Sequence, residues 1–279
     1  TYNTLNKLYL ADIFQLESKG MSYTIQSVKP EKFTDLAAIL ALYRPGPKDY
    51  ISLFARRKNG EEKIDYISDL LEPVLKDTYG IMVYQEQVIQ AVQVIADFSA
   101  SDADLFRRAI SKKKSDLIES YKQRFSISAS KKVDEKTANK IYDMIEKFAG
   151  YGFNKSHAYS YALITYSLLY YKTHHPEEFY SAAMETTSLN TEGMKNLQHE
   201  LEMLNYKISI PDINYSDLST YNFTKDKIIY LPLNSIGGSD FENLKQIYEE
   251  RNKNGPYTSI YNFCLRTYHF LTSDKQKKI

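Results

Sequence analysis

The sequence predicts a mainly α-helical protein that ends in a small α+β segment. Through most of the first 205 residues, apolar side chains recur at helical spacing, and in the stretch 88–95 they include positions i, i+3, i+4 and i+7. After Tyr206 the pattern changes to short β-branched and aromatic runs around a loop rich in Asn, Ser and Thr. We therefore place a domain boundary near residue 206, between the domains 1–205 and 206–279.

Capping residues mark where the middle helices begin. Ser101 followed by Asp104 has the spacing of a capping box, which predicts that a helix carrying two adjacent arginines starts here. Asp134 is expected to cap the next helix. The apolar positions of that helix recur with helical spacing over 138–148, which predicts a buried stripe.

The Gly-Tyr-Gly stretch 150–152 ends this stripe, and a long helix is predicted after it. Ser156 is expected to cap the long helix, which extends to about His174. Pro176 begins another helix, because proline suits the first helical position and two acidic residues follow it. The apolar pattern over 194–204 predicts one more helix.

The end of the chain combines strands with a helix. The runs 208–211 and 227–231 are rich in isoleucine and predict two short strands. A turn is expected at 237–238, where two glycines are adjacent. The helix that follows is expected to end at Gly255, directly before a proline.

The composition is that of a globular protein, with 43% hydrophobic and 25% charged residues in 279. No apolar run approaches the roughly 18 residues of a membrane helix, so no membrane partner is expected. The single cysteine, Cys264, excludes an internal disulfide and a thiolate metal cluster, which fits a reducing cytoplasm. Thr1 in place of Met suggests that the sequence is a piece of a longer protein.

Basic residues concentrate between Arg107 and Lys140, although the net charge of the whole chain is only +1. Two interpretations are open. The cluster forms an electropositive face for a nucleic acid, or it consists of solvated helix faces and a lysine-rich linker.

Helical geometry groups four of these positions. At about 100° per residue, an arc of about 140° contains Arg107, Arg108, Ser111 and Lys112. Two guanidinium groups and an ammonium on one face would suit a triphosphate or a nucleic-acid backbone. The alternative is that the arginines pair on the surface with Asp102 or Asp104.

The stretch 147–157 reads Lys-Phe-Ala-Gly-Tyr-Gly-Phe-Asn-Lys-Ser-His, and it lies where a loop turns into a helix. A helix start presents free backbone N–H groups and the positive end of the helix dipole, which together attract anions. Ser156 has two uses that are equally expected, as the helix cap or as a ligand contact. The stretch is therefore a candidate anion-binding site.

Five long motifs follow one another along the chain: FQLESKGM at 14–21, ALYRPGP at 41–47, YGIMVYQEQ at 79–87, ADLFRRA at 103–109 and FAGYGFNKSH at 148–157. In order and spacing they resemble signatures of the alpha subunit of bacterial DNA polymerase III, a C-family replicative DNA polymerase. The segment HHPEEF at 174–179 also fits. The resemblance covers about residues 12–185.

The resemblance implies a fingers domain over 1–205, whose first 20 residues or so lead out of the palm domain. Such a domain binds the incoming deoxynucleoside triphosphate (dNTP) and the template-primer DNA. The residues implied in dNTP binding are Arg107 and Arg108 on one wall and Tyr151, Asn154, Lys155, Ser156 and His157 on the other. For Tyr151 a core or surface role is the default, because the chain contains 25 tyrosines. Arg44, Lys112 and Lys113 are the residues implied in DNA binding, although a structural salt bridge is an equal alternative for Arg44.

The same resemblance implies that 206–279 begins a duplex-binding module with helix-hairpin-helix-like elements, which the sequence matches only in part at 236–238. Catalytic aspartates and their Mg²⁺ ions would belong to the palm. We therefore expect no catalytic residue, metal site or bound cofactor in this segment, and no activity when it is isolated. Asp102 and Asp104 have the Asp-x-Asp spacing, but a helix start explains them better.

As part of a DNA-directed DNA polymerase, the whole protein would contact a sliding clamp and other replisome subunits. One alternative of a different class stays open. The chain could be a non-catalytic module that binds nucleic acid or protein on a fingers-like scaffold.

Overall fold

The computed structural model describes residues 1–111, 115–187 and 191–271. In these residues the α-helices are α1 Tyr2–Asn6, α2 Lys19–Val28, α3 Phe33–Leu42, α4 Ile51–Lys58, α5 Glu72–Leu75, α6 Gln85–Ala96, α7 Ala100–Ser111, α8 Ser115–Ala129, α9 Glu135–Ala149, α10 Lys155–His174, α11 Pro176–Thr186, α12 Glu192–Met203, α13 Phe241–Asn254 and α14 Ile260–Thr267. Short 3-10 helices lie at Pro47–Tyr50, Asp69–Leu71, Lys76–Thr78 and Leu233–Ser235. The strands are β1 Lys207–Ser209, β2 Asn222–Phe223 and β3 Ile228–Tyr230.

This architecture confirms the predicted fold class, a mainly α-helical chain followed by a small α+β segment. The chain forms two compact units, Thr1–Tyr170 and Tyr171–Ile279, which divide inside α10. The predicted domains 1–205 and 206–279 follow the change in composition instead, and they stay a prediction. Within the described ranges, no helix has both the length and the apolar character that crossing a membrane requires.

The core of the first unit forms around α6, which packs against α7, α8 and α9. Its centre is an aromatic cluster in which neighbouring ring centroids lie 5.6–6.4 Å apart. The cluster consists of Phe98, Phe106, Tyr121, Phe125 and Tyr142. The apolar stripe predicted over 138–148 is buried against it, as helical periodicity required. This packing holds the ends of α7 and α9 in place, and the candidate site lies there.

Helix caps were predicted with mixed success. Asp134 caps α9 as predicted, because its side chain accepts the backbone N–H of Thr137 at 3.0 Å. The prediction for α7 was wrong by two residues. Ser99 is the cap, since its hydroxyl accepts the N–H of Asp102 at 3.1 Å, and Ser101 lies inside the first turn.

In the second unit, a three-stranded sheet has the order β1-β3-β2. β1 is parallel to β3, with Ile208 opposite Ile229, and β2 is antiparallel to β3, with Phe223 opposite Ile229. Both strands predicted from isoleucine runs are present. A hydrophobic cluster built on α13 and α14 follows the sheet and consists of Ile247, Tyr257, Phe263 and Leu271.

The remaining part of the second unit contains a buried ion pair. Nζ of Lys172 lies 2.5 Å from the Glu200 carboxylate, and the two side chains are 1% and 7% exposed. The hydroxyl of Tyr180 donates to the same carboxylate at 2.9 Å. The Glu200 carboxylate thus contacts both the Lys172 ammonium and the Tyr180 hydroxyl, and these contacts offset part of the cost of burying the charges.

Candidate functional site

The glycine loop, residues 150–154, lies between α9 and α10. It is held by hydrogen bonds to the extended segment that precedes α6. The backbone N–H of Phe153 donates to the carbonyl of Val83 at 3.0 Å, and that of Gln85 donates to the carbonyl of Phe153 at 2.9 Å. These two bonds form a parallel bridge between Tyr84 and Phe153. The Gln85 side chain adds a third bond, to the carbonyl of Gly152 at 3.0 Å.

Gly152 permits this close approach. A Cβ atom at this position would lie 3.2–3.3 Å from atoms of Gln85, including its backbone nitrogen and Cα. A larger residue would therefore push the loop away from α6. Position 152 therefore favours glycine because the loop packs closely against Gln85.

Asn154, not Ser156, caps α10. Its side-chain oxygen accepts the N–H of His157 at 2.8 Å, and its carbonyl accepts the N–H of Ala158 at 3.1 Å. The prediction for Ser156 as a cap was wrong by two residues. Ser156 lies within the first turn of the helix, and its residue is exposed.

The start of α10 is not an open anion site, because the carboxylate of Glu86 occupies it. Oε2 of Glu86 accepts the backbone N–H of Lys155 at 2.9 Å, and Oε1 accepts the Asn154 amide at 3.3 Å. This is the arrangement that a helix dipole favours, with the negative charge supplied by the protein. Recognition of a phosphate here would therefore depend on the side chains.

Three polar side chains at the start of α10 remain for such a role. The ammonium of Lys155 lies 5.3 Å from the Tyr159 ring centroid and 5.7 Å from that of Tyr84. The imidazole of His157 lies 4.2 Å from the Tyr161 ring, centroid to centroid. The exposed Ser156 hydroxyl is the third. Aromatic rings thus fix the positions of the ammonium and the imidazole.

The two arginines of α7 share one carboxylate. Nη2 of Arg107 lies 2.8 Å from Oδ1 of Asp104, and Nε of Arg108 lies 2.8 Å from Oδ2. The side chain of Arg107 is 13% exposed, whereas that of Arg108 is 61% exposed. The surface pairing that was the alternative interpretation is therefore present, with Asp104. It leaves the guanidinium of Arg108 accessible to a ligand.

Asp102 pairs elsewhere, with Arg124 on α8 at 2.8 Å. The hydrogen bond from Arg124 is the main cause that lowers the pKa of the Asp102 carboxyl below its usual value. The two acids of the Asp-x-Asp spacing thus both form ion pairs at the start of α7. In the described parts of the chain, no group of three or more His, Cys, Asp or Glu side chains could hold a metal ion.

One hydrogen bond joins the arginine face of α7 to the glycine loop. The hydroxyl of Ser111 donates to the carbonyl of Ala149 at 2.5 Å, and Ala149 directly precedes the glycine loop. Arg107 and Arg108 lie four and three residues before Ser111, so the Ser111 bond connects their part of α7 to the loop. Lys112, which was predicted in the same arc, and Lys113, which was implied in DNA binding, lie outside the described residues.

Arg44 also contacts the glycine loop, at Tyr151 and Phe153. Its Nε donates to the carbonyl of Ala41 at 2.9 Å, a terminal nitrogen donates to the carbonyl of Tyr151, and the guanidinium lies 4.6 Å from the Phe153 ring centroid. Burial lowers the pKa of Arg44 from its usual value. In the described ranges, its partners are carbonyls and a ring in place of the carboxylate of a salt bridge. Contact with DNA stays a prediction.

Sequence patterns missed the contributions of Glu86 and Gln85. Both belong to the motif at 79–87, which marked a helix start but did not show what the side chains would contact. The signal available was the pair of polar residues at the first two positions of the helix, where side chains are free to accept from or donate to a neighbouring element. Their partners lie 67–69 residues further along the chain.

Comparisons with known proteins show which sequences this chain is similar to. Residues 1–133 match the family model of the bacterial DNA polymerase III alpha subunit finger domain, and residues 205–277 match that of a helix-hairpin-helix motif. The chain is 42% identical over 255 residues to DNA polymerase III subunit alpha of Xylella fastidiosa, 40% identical over 268 residues to that of Chlamydia muridarum, and 39% identical over 275 residues to that of Escherichia coli.

These alignments cover 91–96% of this chain but 21–24% of each relative, so the chain spans less than a quarter of their length. The finger-domain match contains the motifs at 14–21, 41–47, 79–87 and 103–109. The glycine loop lies beyond it and within the alignments to the relatives that cover 96% of the chain. Residues 1–133 thus belong to the family of the bacterial DNA polymerase III alpha subunit finger domain, and the chain as a whole is similar to one segment of that subunit.

Proposed function

We propose that this chain is the fingers portion of a bacterial replicative DNA polymerase, where it binds the incoming dNTP and the template-primer DNA. In the whole protein it would serve template-directed nucleotidyl transfer in the cytoplasm. The chemistry would be carried out by palm-domain aspartates with Mg²⁺, so the isolated chain is expected to be inactive. A sliding clamp and other replisome subunits would be partners of the whole protein.

The hydrogen bond from Ser111 to Ala149 carries this proposal. It ties the helix face of Arg107 and Arg108 to the loop that leads into α10. A triphosphate needs several positive groups that converge from different elements. Arginines on α7 and an ammonium at the start of α10 would meet that need if the loop after Ala149 brings them together.

Arg107 and Arg108 would have different roles in phosphate binding. Arg108 is mostly exposed, and it uses its Nε atom to pair with Asp104, so its terminal nitrogens can turn to a β- or γ-phosphate. Arg107 is mostly buried, and both its Nε and Nη2 donate to Asp104. Arg107 would therefore hold Asp104 in place and contribute charge, whereas Arg108 would make the direct contact.

At the start of α10, Lys155 would contact the phosphates, and Ser156 and His157 would contact the phosphate, sugar or base. Asn154 would act through the helix cap, because its oxygen and its amide are both engaged. The exposed ring of Tyr151 offers a stacking surface for a base. Replacement of His157 would alter the discrimination between ribose and deoxyribose.

DNA would be contacted at three places. Arg44 would contact the template or the palm, Lys112 and Lys113 would contact the phosphate backbone, and the second unit would grip the duplex through its helix-hairpin-helix motif. The family match at residues 205–277 supports the last of these roles. Lysine contacts to phosphate are not sequence-specific, so they would make binding depend on salt concentration.

The test is dNTP affinity in the double variant Arg107→Ala/Arg108→Ala and in the two single variants, measured as KM for dNTP in the whole polymerase. We expect KM to rise at least tenfold in the double variant and more for Arg108→Ala than for Arg107→Ala. The matched control is Arg124→Ala, which removes another exposed and ion-paired arginine. Unchanged KM in the double variant would contradict the proposal.

A further inference from the structure

A cavity of about 390 Å³ lies between the 3-10 helix Pro47–Tyr50 and the end of α9, beside the ring of Tyr151. Its volume is at the lower end of the range of about 300–1,000 Å³ that small-molecule sites occupy, which is enough for one nucleotide. The helix start of α10 does not line it. Of the residues that line the cavity, the function proposed above uses only Tyr151, and it gives the cavity itself no role.

Aromatic rings form its walls. The centroids of Tyr50 and Phe148 lie 4.6 Å apart, so these two rings support each other. Tyr151 is 55% exposed, and its ring lies over the backbone of Gly46. A Cβ atom at Gly46 would be 3.1 Å from this ring, and the φ angle of +93° there also favours glycine. The Cδ1 and Cε1 atoms of the ring thus pack against the turn, while about half of the side chain stays exposed.

The charge at the cavity is small and mixed. Nζ of Lys147 lies 5.2 Å from the Tyr50 ring centroid, and the ammonium is at the exposed end of α9. A hydrogen bond with Tyr50 raises the pKa of Lys147. The carboxylate of Asp49 also lines the cavity. One cation with a carboxylate beside it does not supply the several positive groups that a triphosphate needs, so Lys147 can serve at most a single phosphate.

We propose that this cavity binds one unpaired nucleotide of a DNA strand. Its base would stack on Tyr151 and Tyr50, its phosphate would contact Lys147, and Asp49 would accept an N–H group of the base. Aromatic faces interleaved with a basic residue are how proteins bind single strands without reading sequence. The inference rests on the proposed function in one respect, since it takes DNA as the partner.

The placement of Arg44 supports a connection between this cavity and the nucleotide site. Its guanidinium bonds the carbonyl of Tyr151 and lies on the ring of Phe153, next to the start of α10. One loop therefore carries a wall of the cavity and the entry to the proposed dNTP site. An unpaired template nucleotide held here would be close to the nucleotide that is to be paired.

The experiment measures the affinity of the chain for two fluorescently labelled DNA oligomers by anisotropy. One is a thymidine oligomer of twelve units, and the other is its fully abasic counterpart. Both carry the same phosphates, so the affinity difference reports the bases alone. We expect the chain to prefer the thymidine oligomer by about tenfold and Tyr151→Ala to remove most of that preference. Lys147→Gln should weaken both oligomers alike and lower the slope of log affinity against log salt by about one.

Matched controls are Tyr23→Ala, which removes a tyrosine that is 72% exposed on α2, and Lys7→Gln, which removes an exposed lysine at the end of α1 and outside the basic cluster 107–140. Both should behave as the unchanged chain. A photocrosslink from 5-iododeoxyuridine to the unchanged chain needs no variant, and it should map to Tyr50 or Tyr151. A full preference for bases in Tyr151→Ala, or crosslinks confined to other regions, would overturn the inference.

Two further measurements distinguish a DNA strand from a free nucleotide in the cavity, and this inference from the proposed function. Displacement of the thymidine oligomer by free thymidine monophosphate at equal nucleotide concentration would assign the cavity to a free nucleotide and overturn the assignment to a strand. The variant Arg107→Ala/Arg108→Ala should keep the tenfold preference for bases although its KM for dNTP rises. An unchanged KM in the double arginine variant would refute the proposed function. A preference for bases that is the same with and without the Tyr151 ring would refute this inference alone.

Discussion

The carboxylate of Glu86 accepts the backbone N–H of Lys155 at 2.9 Å, across 69 residues of sequence. It thereby brings the first turn of α6 against the first turn of α10. A negative group at a helix start is stabilising, and here it also fixes where the side chains of Asn154 and Lys155 emerge. The position of the candidate site on α10 depends on a residue that would not itself touch a ligand.

Replacing Glu86 with alanine should lower the free energy of unfolding by about 1–3 kcal/mol, because hydrogen bonds to a charged acceptor are lost at the start of α10. Glu86→Gln should lose less than half of that, since its amide oxygen still accepts the Lys155 N–H. Urea denaturation measures both, and hydrogen exchange at the Lys155 amide should accelerate in the alanine variant. Glu146→Ala, at an exposed position of α9, is the control; equal stabilities of all three variants would refute the role of Glu86.

The cap of α10 gives a second prediction. Asn154→Ala should destabilise the chain by about 0.5–2 kcal/mol, because the His157 N–H loses its acceptor. Ser156→Ala should change the stability by less than about 0.5 kcal/mol, since an exposed hydroxyl inside the first turn is replaced. Thermal and urea unfolding of the pair decide between the two residues. The reverse order of effects would show that Ser156 is the cap.

Tyr142 makes the stability depend on alkaline pH. Burial raises the pKa of its hydroxyl to about 12, from about 10 in an unfolded chain. The unfolded chain therefore loses this proton first, so the contribution of Tyr142 is complete below pH 10 and is lost as the pH rises to about 12. The hydroxyl is also buried without a hydrogen-bond partner in the described residues.

Tyr142→Phe should thus be at least as stable as the unchanged chain at pH 7, by up to about 1 kcal/mol, and its advantage should grow between pH 10 and pH 12. Urea denaturation at pH 7, 9 and 10.5 checks the trend. Tyr23→Phe, at an exposed position, should show no such dependence. A constant difference between Tyr142→Phe and the unchanged chain across this range would contradict the prediction.

The ion pair of Lys172 with Glu200 gives a prediction for the second unit. Glu200→Ala should destabilise this unit by about 3–5 kcal/mol, because the Lys172 ammonium stays buried without its carboxylate. Lys172→Met combined with Glu200→Leu should recover most of the loss. Hydrogen exchange of α11 and α12 measures the effect within this unit. The control is the exposed Glu202→Ala, and a loss under 1 kcal/mol in Glu200→Ala would contradict the prediction.

Local patterns predicted what depends on neighbouring residues. The periodicity over 138–148 identified the buried face of α9, and Asp134 was identified as its cap, because spacing and side-chain reach are set within one or two helical turns. The same reasoning chose Ser101 and Ser156 as caps. It failed there because each lies two residues after another residue that is able to cap, Ser99 in the first case and Asn154 in the second.

The order of residues is sufficient to identify the helical fold class, the polymerase family and the two positively charged candidate elements, because periodicity and long motifs are properties of the chain itself. The contacts that make these elements a site span 67–107 residues, from Gln85 to Gly152 and from Arg44 to Tyr151. They depend on how α6, α7, α9 and α10 pack around a shared core. For this reason the occupation of the α10 start by Glu86 became visible only in the folded chain, whereas the pairing of two arginines with Asp104 is local to α7 and was already one of the two interpretations of the sequence.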